Sequence, residues 1–331
     1  MTADCRWPFA RLLWTALTMA LAVLTVAWGT PTLPSLGLCA SAYGTTIEEV
    51  RRVWLARQSY VRSARFEWKE ECFIAAHAYV AFPSLHERDG KAQGERTPTR
   101  VPERDLTFQR SGSMSLSGNM LRLVLDGTYW HPGLRQLLQE TYTTTFDGQT
   151  AMSHHVHSPP RRDDLPPFGS IDREARLREY RNPMLIPLMM TFRPCDPNSG
   201  GVDLAQWRIR GRTGVIDGTL CSLMTHVEPR GDQTRLWVDP SRGFIVLRVE
   251  QLDSLEHPLV QTDISYRENS SHGWLPSKWK RVNHGGFSRM LDQQTVEVAK
   301  HEINIEIPRS EFQIEFPVDT LVRDLRTKED Y

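Results

Sequence analysis

The sequence lacks the short motifs that mark the common classes of enzyme. It contains no Gly-x-Ser-x-Gly elbow, no His-Glu-x-x-His zinc motif, no P-loop, no dinucleotide-binding glycine fingerprint and no Cys-x-x-Cys pair. It also lacks an excess of charge, because 40 basic residues balance 40 acidic ones and the formal net charge is +0. Such a chain has no overall positive field for binding nucleic acid or an anionic membrane surface. We therefore predict a non-enzymatic protein without a cofactor that does not bind nucleic acid.

The first 42 residues read as an export signal. Arg6 and Arg11 precede an apolar run over residues 12–28, and Ala40-Ser41-Ala42 matches the small-x-small pattern after which signal peptidase cleaves. Cleavage after Ala42 would leave residues 43–331 in the periplasm or another exported location. Alternatively, the run approaches the ~20 residues needed to span a bilayer and stays as an uncleaved membrane anchor.

Cysteine is scarce, with five residues in the whole chain. Lipidation at Cys39 is disfavoured because Leu38 occupies a position where a lipobox requires a small residue. Cleavage would leave Cys72, Cys195 and Cys221, and an odd number excludes a complete disulfide framework. Cys195 and Cys221 form the favoured pair because both lie near predicted strand ends, and three unpaired thiols are the alternative.

A helix is predicted at the start of the mature chain. Thr45 and Thr46 each precede a glutamate by three residues, which is the spacing of a capping box. Apolar residues then recur at helical period as far as Val61. Over residues 63–69 the period changes to two, which indicates a strand with one face on a core.

Seven strand-like segments follow one another in the second half of the chain, with turn residues and no helix between them. This succession predicts an up-and-down antiparallel sheet. In the last segment the apolar phase slips by an odd number of residues, which predicts a β-bulge near residues 299–302 and a strongly curved sheet. The segments are residues 207–212, 220–227, 234–238, 244–252, 260–266, 274–282 and 295–307.

The first half is expected to add strands interrupted by two inserts. Residues 106–125 predict two strands joined at Ser111-Gly112, and Asp147-Gly148 predicts a hairpin turn between strands at 141–146 and 150–157. A helix is expected over residues 172–180. The inserts, at about 84–104 and 158–200, are rich in proline, and the mature chain is expected to form a single domain over residues 43–331.

Three sequence features resemble the LolA-like superfamily of bacterial lipoprotein carriers and sorting proteins. They are the Ala-Arg-Phe-x-Trp strand at residues 64–68, the Trp-x-Asp-Pro-x-x-Gly hairpin at residues 237–243, and the terminal series Ile307-Pro308 to Val322-Arg323-Asp324. Asp319 stands where that terminal pattern usually has glycine. The resemblance implies a mainly β (α+β) fold, an incomplete β-barrel of antiparallel strands around covering helices. It also implies an apolar cavity for acyl chains in the periplasm, and no catalytic residues.

The candidate ligand-binding residues are aromatic side chains on predicted strands and an apolar segment rich in methionine, which is the candidate lid. Aromatic residues on strands serve either as core or as the lining of an apolar site. Methionine-rich surfaces adapt to varied ligands, although a buried core segment is the alternative. The candidates are Phe66, Trp68, Trp237, Phe244, Tyr266, Trp279, Met184, Leu185, Leu188 and Met189.

The histidine cluster at residues 154–157 suggests a second kind of chemistry. In a strand, His155 and His157 would share a face, so that both imidazoles could reach one metal ion. The primary hypothesis is nevertheless an exported binder of lipid, lipoprotein acyl chains or another apolar ligand. One alternative is a protein-interaction module of the envelope without cargo, and another is a metal-dependent hydrolase that uses this cluster.

Overall fold

The computed structural model describes most of the chain after residue 44. The predicted signal segment, most of the first insert and nearly all of the predicted helix over residues 172–180 lie outside the described residues. The described ranges are residues 45–78, 102–131, 135–158, 166–172, 183–197, 201–285, 289–327 and 329–330.

The described residues form one mixed sheet of fifteen strands with two α-helices, α1 (Ile47–Tyr60) and α2 (Ile186–Phe192). The sheet order is β15-β14-β6-β5-β4-β3-β2-β1-β13-β12-β11-β10-β9-β8-β7, and every neighbouring pair is antiparallel except β6 and β14. The predicted mainly β fold is therefore confirmed. The strands are β1 Ser63–Ile74, β2 Leu106–Ser117, β3 Met120–His131, β4 Gln136–Phe146, β5 Ala151–Ser158, β6 Phe168–Asp172, β7 Arg208–Ile216, β8 Thr219–Val227, β9 Gln233–Asp239, β10 Ile245–Leu252, β11 Pro258–Asn269, β12 Gly273–His284, β13 Met290–Ile303, β14 Leu321–Asp324 and β15 Glu329–Asp330.

The second half of the chain has the predicted up-and-down order, since β7 to β13 pair consecutively. The predicted bulge is also confirmed. Glu67 pairs with Lys300 and Trp68 pairs with Val298, so Ala299 is the extra residue in β13. Because β13 begins at Met290 and ends at Ile303, the predicted bounds of 295–307 were wrong at both ends.

Helix α1 begins as its capping residues predict. The hydroxyl of Thr46 accepts a hydrogen bond from the amide of Glu49 at 3.2 Å. At the helix centre, the indole Nε1 of the buried Trp54 donates to the carbonyl of Phe244 at 2.8 Å. This bond fixes α1 to the turn between β9 and β10.

Pro187 lies in the first turn of α2 and does not interrupt the apolar segment. An amide donor is not needed there, and the proline ring presets a helical φ. A short 3-10 turn over Pro183–Leu185 leads into the helix. The segment therefore packs as one compact helical piece.

We call the sheet face that packs against α1 and α2 the inner face, and the opposite face the outer face. One buried core joins both helices to Leu123 of β3 and Met224 of β8. Eight strand spacings separate β3 from β8, about 38 Å in a flat sheet. Helix α1, with 14 residues, is only about 21 Å long. The sheet therefore curves around the helices.

The C-terminal segment crosses the outer face. Glu311 receives a hydrogen bond from Arg65 at 2.6 Å and another from Ser115, and its neighbour Phe312 is fully buried. Asp319, which replaces the glycine of the resembling pattern, has φ 71. Aspartate tolerates this left-handed conformation better than most residues, so the position keeps a glycine-like backbone.

Four further expectations are corrected. Residues 111–112 lie inside β2, and the chain turns at Gly118-Asn119 instead. The second predicted insert, at about 158–200, contains strand β6 and helix α2. Phe244, predicted on a strand, precedes β10 with φ 57. Cys195 and Cys221 do not form a disulfide; Cys195 packs against the inner core and Cys221 belongs to an outer cluster.

Gly112 is inside a strand because the indole of Trp68 covers it. A Cβ at this position would lie 2.2 Å from Trp68 Cε2, which is closer than two non-bonded carbon atoms can approach. We expect Gly112→Ala to lower the free energy of unfolding by about 2 kcal/mol through overpacking, measured by urea denaturation.

The matched control is Ser111→Ala, at the adjacent exposed position, which should change stability by less than about 0.5 kcal/mol. In a Trp68→Leu background most of the Gly112→Ala penalty should disappear. An unchanged penalty there would show that the indole contact is not the reason for the glycine.

Candidate functional site

The inner face brings together nearly all of the predicted ligand-binding residues. Tyr266 is partly buried against the same core. Trp237 is the exception and lies elsewhere. The eight residues buried in that core are Phe66, Trp68, Phe244, Trp279, Met184, Leu185, Leu188 and Met189.

Helix α2 lies at the centre of this apolar inner face. The rings of Phe192 and Phe66 are 5.1 Å apart, and the hydroxyls of Thr191 and Tyr266 are 3.5 Å apart. Just after the helix, Arg193 donates to the carbonyl of Val61 at 2.8 Å. The predicted lid segment is therefore seated on the sheet between α1 and strands β10 and β12.

Trp237 faces away from this site. Its neighbours in β9, Leu236 and Val238, belong to the inner core, so alternation places Trp237 on the outer face. Its Nε1 donates to Glu250 at 2.9 Å, and its ring lies over Gly214. The alternation was readable in the sequence, and the prediction from aromatic character alone did not use it.

A row of polar side chains crosses the inner face next to the apolar core, and sequence reasoning missed it. Each residue lies in phase with core residues on its own strand, as Glu70 follows Trp68 and Arg281 follows Trp279. Charged residues at in-phase positions of an otherwise apolar strand were the available signal. We call this set the inner polar cluster: Glu70, Arg110, Glu140, Arg281, Asp292 and Gln294.

Ion pairs and hydrogen bonds connect the cluster. Arg110 Nη2 donates to Glu70 Oε1 at 2.6 Å, and the Glu70 side chain is completely buried. Arg281 lies 3.8 Å from Asp292, which also accepts from the Asn283 amide at 2.8 Å. Burial makes these pairings necessary, because an isolated buried charge is very costly.

Glycine at position 127 allows the cluster to continue towards β4. Gly127 lies between Arg110 and Glu140 in the strand register, and a Cβ there would lie 2.7 Å from Arg110 Cα. Without a side chain at this position, the charges of Arg110 and Glu140 interact across it. The polar row therefore extends from β12 to β4.

The pKa values of Cys72, beside the cluster, and of two cluster members reflect burial and neighbouring charges. Burial raises the pKa of the Cys72 thiol, and the nearby carboxylate of Glu70 raises it further. Burial also raises the pKa of Asp292, outweighing the Asn283 hydrogen bond and the charge of Arg281. Conversely, burial lowers the pKa of Arg281 despite the attraction of Asp292. These groups are held in a desolvated environment.

Five buried polar atoms in this region have no hydrogen-bond partner within the described part of the chain. Three are donors and two are acceptors, and all belong to the cluster or to the adjacent indole. They are Arg110 Nε, Arg281 Nε, Trp68 Nε1, Glu70 Oε2 and Gln294 Oε1.

The histidine cluster does not assemble a metal site in the described residues, where no group of three or more His, Cys, Asp or Glu side chains is placed to hold a metal ion. His155 instead lies 3.0 Å from Glu140 through Nδ1. His157 lies near the Tyr129 hydroxyl, and His154 packs against Phe316. The three imidazoles thus have separate neighbours.

No helix among the described residues is both long and apolar enough to cross a membrane. The predicted export signal and the choice between cleavage and anchoring lie outside those residues and stay predictions.

No family model and no curated protein matches this sequence. Among solved structures, a DUF1329 family protein from Desulfovibrio piger has TM-score 0.45 at 9% identity, covering 82% of this chain and 98% of its own. A putative outer membrane lipoprotein-sorting protein domain from Vibrio parahaemolyticus has TM-score 0.45 at 10% identity, covering 81% and 95%. A LolA superfamily protein from Nitrosomonas europaea has TM-score 0.40 at 9% identity, covering 82% and 99%. The solved structures to which this chain is similar thus include lipoprotein-sorting and LolA superfamily proteins, at low identity.

Glu140 is expected to make stability depend on acid pH. Burial raises the pKa of its carboxyl, but the hydrogen bond and charge of His155, together with the charges of His157 and Arg110, hold the pKa below the ordinary 4.5. A lowered pKa in the folded state stabilises the protein above the unfolded pKa, and this contribution is lost as the pH falls through the folded value. Glu140→Gln should therefore cost roughly 1 kcal/mol of unfolding free energy near neutral pH.

The difference between wild type and Glu140→Gln should shrink as the pH falls below about 4.5, in urea titrations at each pH. The control is Glu71→Gln, which removes a carboxylate at an exposed position of β1. A wild-type minus Glu140→Gln difference that stays constant from neutral to acid pH would contradict this assignment.

Proposed function

We propose that this protein is an exported, non-enzymatic binder of an apolar chain, such as the acyl chain of a lipid or lipoprotein, and acts in the bacterial envelope. The supporting observation is that a short apolar helix, α2, covers the centre of the inner face of a single curved sheet. The ligand would lie on the apolar inner face, in the place that α2 occupies.

Helix α2 is suited to displacement because the packing of its side chains against the inner face is what holds it in place. It has seven residues, fewer than an isolated helix needs to be stable in water. Apart from Thr191, its buried side chains are apolar, and they include Met189 and Met190, which are flexible enough to repack against another apolar partner. Thr191 and Arg193 supply hydrogen bonds that would re-form when the ligand leaves.

The free energy gained by burying the acyl chain and the free energy lost by displacing helix α2 are of similar size. An acyl chain of about 16 carbons would gain roughly 13 kcal/mol at about 0.8 kcal/mol per buried CH₂. Displacing four buried side chains from the inner face would cost roughly 6–12 kcal/mol. The small difference supports binding that is reversible, as a carrier or sensor of lipid requires.

A protein-interaction module is the second candidate, and one observation favours it. Val215 and Leu220, beside the exposed edge of the sheet at β7, are 66% and 62% exposed. An edge strand with apolar neighbours is a surface on which another chain can pair. The filled inner core would then serve stability alone.

Quenching of tryptophan fluorescence by a brominated acyl chain separates these functions. Methyl 9,10-dibromostearate should quench the fluorescence of the full-length protein purified after export, whereas methyl stearate should not. In the double variant Trp68→Phe/Trp279→Phe, which removes two inner-face indoles, the quenched fraction should fall by at least about half, because quenching requires close contact with the chain.

The matched control is Trp237→Phe/Trp274→Phe, which removes two indoles of the outer cluster and should retain the quenched fraction. Urea unfolding of each variant verifies folding. Quenching that is absent, or that falls only in the outer-face variant, would refute an apolar ligand on the inner face and favour the interaction module.

A further inference from the structure

The inner polar cluster has unused hydrogen-bonding capacity that an apolar chain cannot satisfy. The Glu70 side chain is fully buried, yet its Oε2 has no partner in the described residues. Gln294 is only 7% exposed, and its Oε1 is likewise unpartnered. Buried polar atoms in folded proteins are nearly always hydrogen-bonded, so this concentration of atoms without a partner among the described residues favours a site where a polar ligand group could bind.

The cluster directly adjoins the proposed chain site. Trp68 belongs to the apolar core, while its unpartnered Nε1 adds a donor beside the cluster. Arg281 and Gln294 are opposite each other on β12 and β13. The next pair on the same face is Trp279 and Val296, and both of these residues belong to the core. A ligand with its chain on the apolar inner face would therefore reach the cluster with its polar end.

The unpartnered atoms specify the chemistry of that end. The donors are Arg110 Nε, Arg281 Nε and Trp68 Nε1, and the acceptors are Glu70 Oε2 and Gln294 Oε1. A hydroxyl group can donate and accept through one oxygen, so hydroxyls match both kinds of atom.

Each charged group of the cluster already has a neighbour, and for Glu140 this neighbour is His155, whose Nδ1 lies 3.0 Å away. Glu70 pairs with Arg110, and Arg281 lies beside Asp292. An anionic end would meet the carboxylates, and a cationic end would meet the guanidinium groups. Either end would have to compete with these existing neighbours, and either would lose its hydration on entering.

We propose that the inner polar cluster binds an uncharged, hydroxyl-bearing end of a lipid, such as a glycerol or sugar group. This inference rests on the proposed function, because the acyl chain places the hydroxyl groups at the cluster. It adds the class of headgroup, and it assigns Gln294 and Glu70 to its recognition.

Four ligands with the same C18 chain test the assignment: 1-monostearoylglycerol, methyl stearate, stearate and stearylamine. Each displaces a bound apolar fluorescent probe from the full-length exported protein, below micelle-forming concentrations. Monostearoylglycerol should bind about tenfold more tightly than methyl stearate, since it adds paired hydrogen bonds. The charged ligands should bind no more tightly than methyl stearate.

Gln294→Met keeps the side-chain length and removes the acceptor, so the preference for monostearoylglycerol over methyl stearate should fall below about threefold. Gln293→Met is the matched control, because the next residue of β13 points to the opposite face and is not fully buried. The control should retain the tenfold preference, and thermal unfolding verifies that both variants are folded.

The outcomes distinguish the two proposals. If none of the four ligands displaces the probe, the apolar binding function itself is wrong. If all four bind equally, or a charged ligand binds most tightly, the chain site stands and the headgroup assignment is overturned. Binding of free glycerol as tight as that of monostearoylglycerol would overturn its assignment to a lipid.

Discussion

In the part of the chain that the structure describes, a single curved sheet buries its inner face without a second sheet, and the rest of this structure depends on that constraint. Helices α1 and α2 supply the cover. The turn between β9 and β10 fixes the first of them, because the Phe244 carbonyl accepts from Trp54 and the Gly243 carbonyl accepts from Arg57. Both turn residues have positive φ, which directs their carbonyls to the helix. The β9–β10 hairpin therefore fixes the position of helix α1 on the sheet.

The same constraint divides the inner face into two chemically different parts. Where the helices lie, the sheet presents aromatic and aliphatic side chains to methionine and leucine residues of α2 and its preceding turn. Beyond them, the in-phase positions carry charge, and Glu70 and Arg110 pair in a desolvated setting. An apolar area beside a polar row whose charged groups already have neighbours is the arrangement that an amphiphile with an uncharged end would fit. The function we propose follows from this division.

Local signals in the sequence were enough to predict most of the fold. Turn residues separated the strands of the second half, Thr46 with Glu49 marked the start of α1, and the odd apolar phase in β13 located the bulge at Ala299. These features depend on residues near one another in sequence, and local pairing preserves them.

Features that depend on distant contacts were missed. Gly112 reads as a turn residue, yet it lies in a strand because Trp68 occupies the space of a side chain. The apolar lid candidates lie in the inner core, whereas Trp237 lies on the outer face, because candidates chosen by aromatic character did not take strand phase into account. The inner polar cluster comes from six different strand positions, and register alone brings its members together.

Native mass spectrometry of the protein purified after export, with organic extraction of bound species, tests the account most directly. We expect a stoichiometric adduct that the extract identifies as an acylated molecule with an uncharged hydroxylated end. A clean apo mass that takes up no lipid on titration would contradict the account and leave the inner face as a structural core.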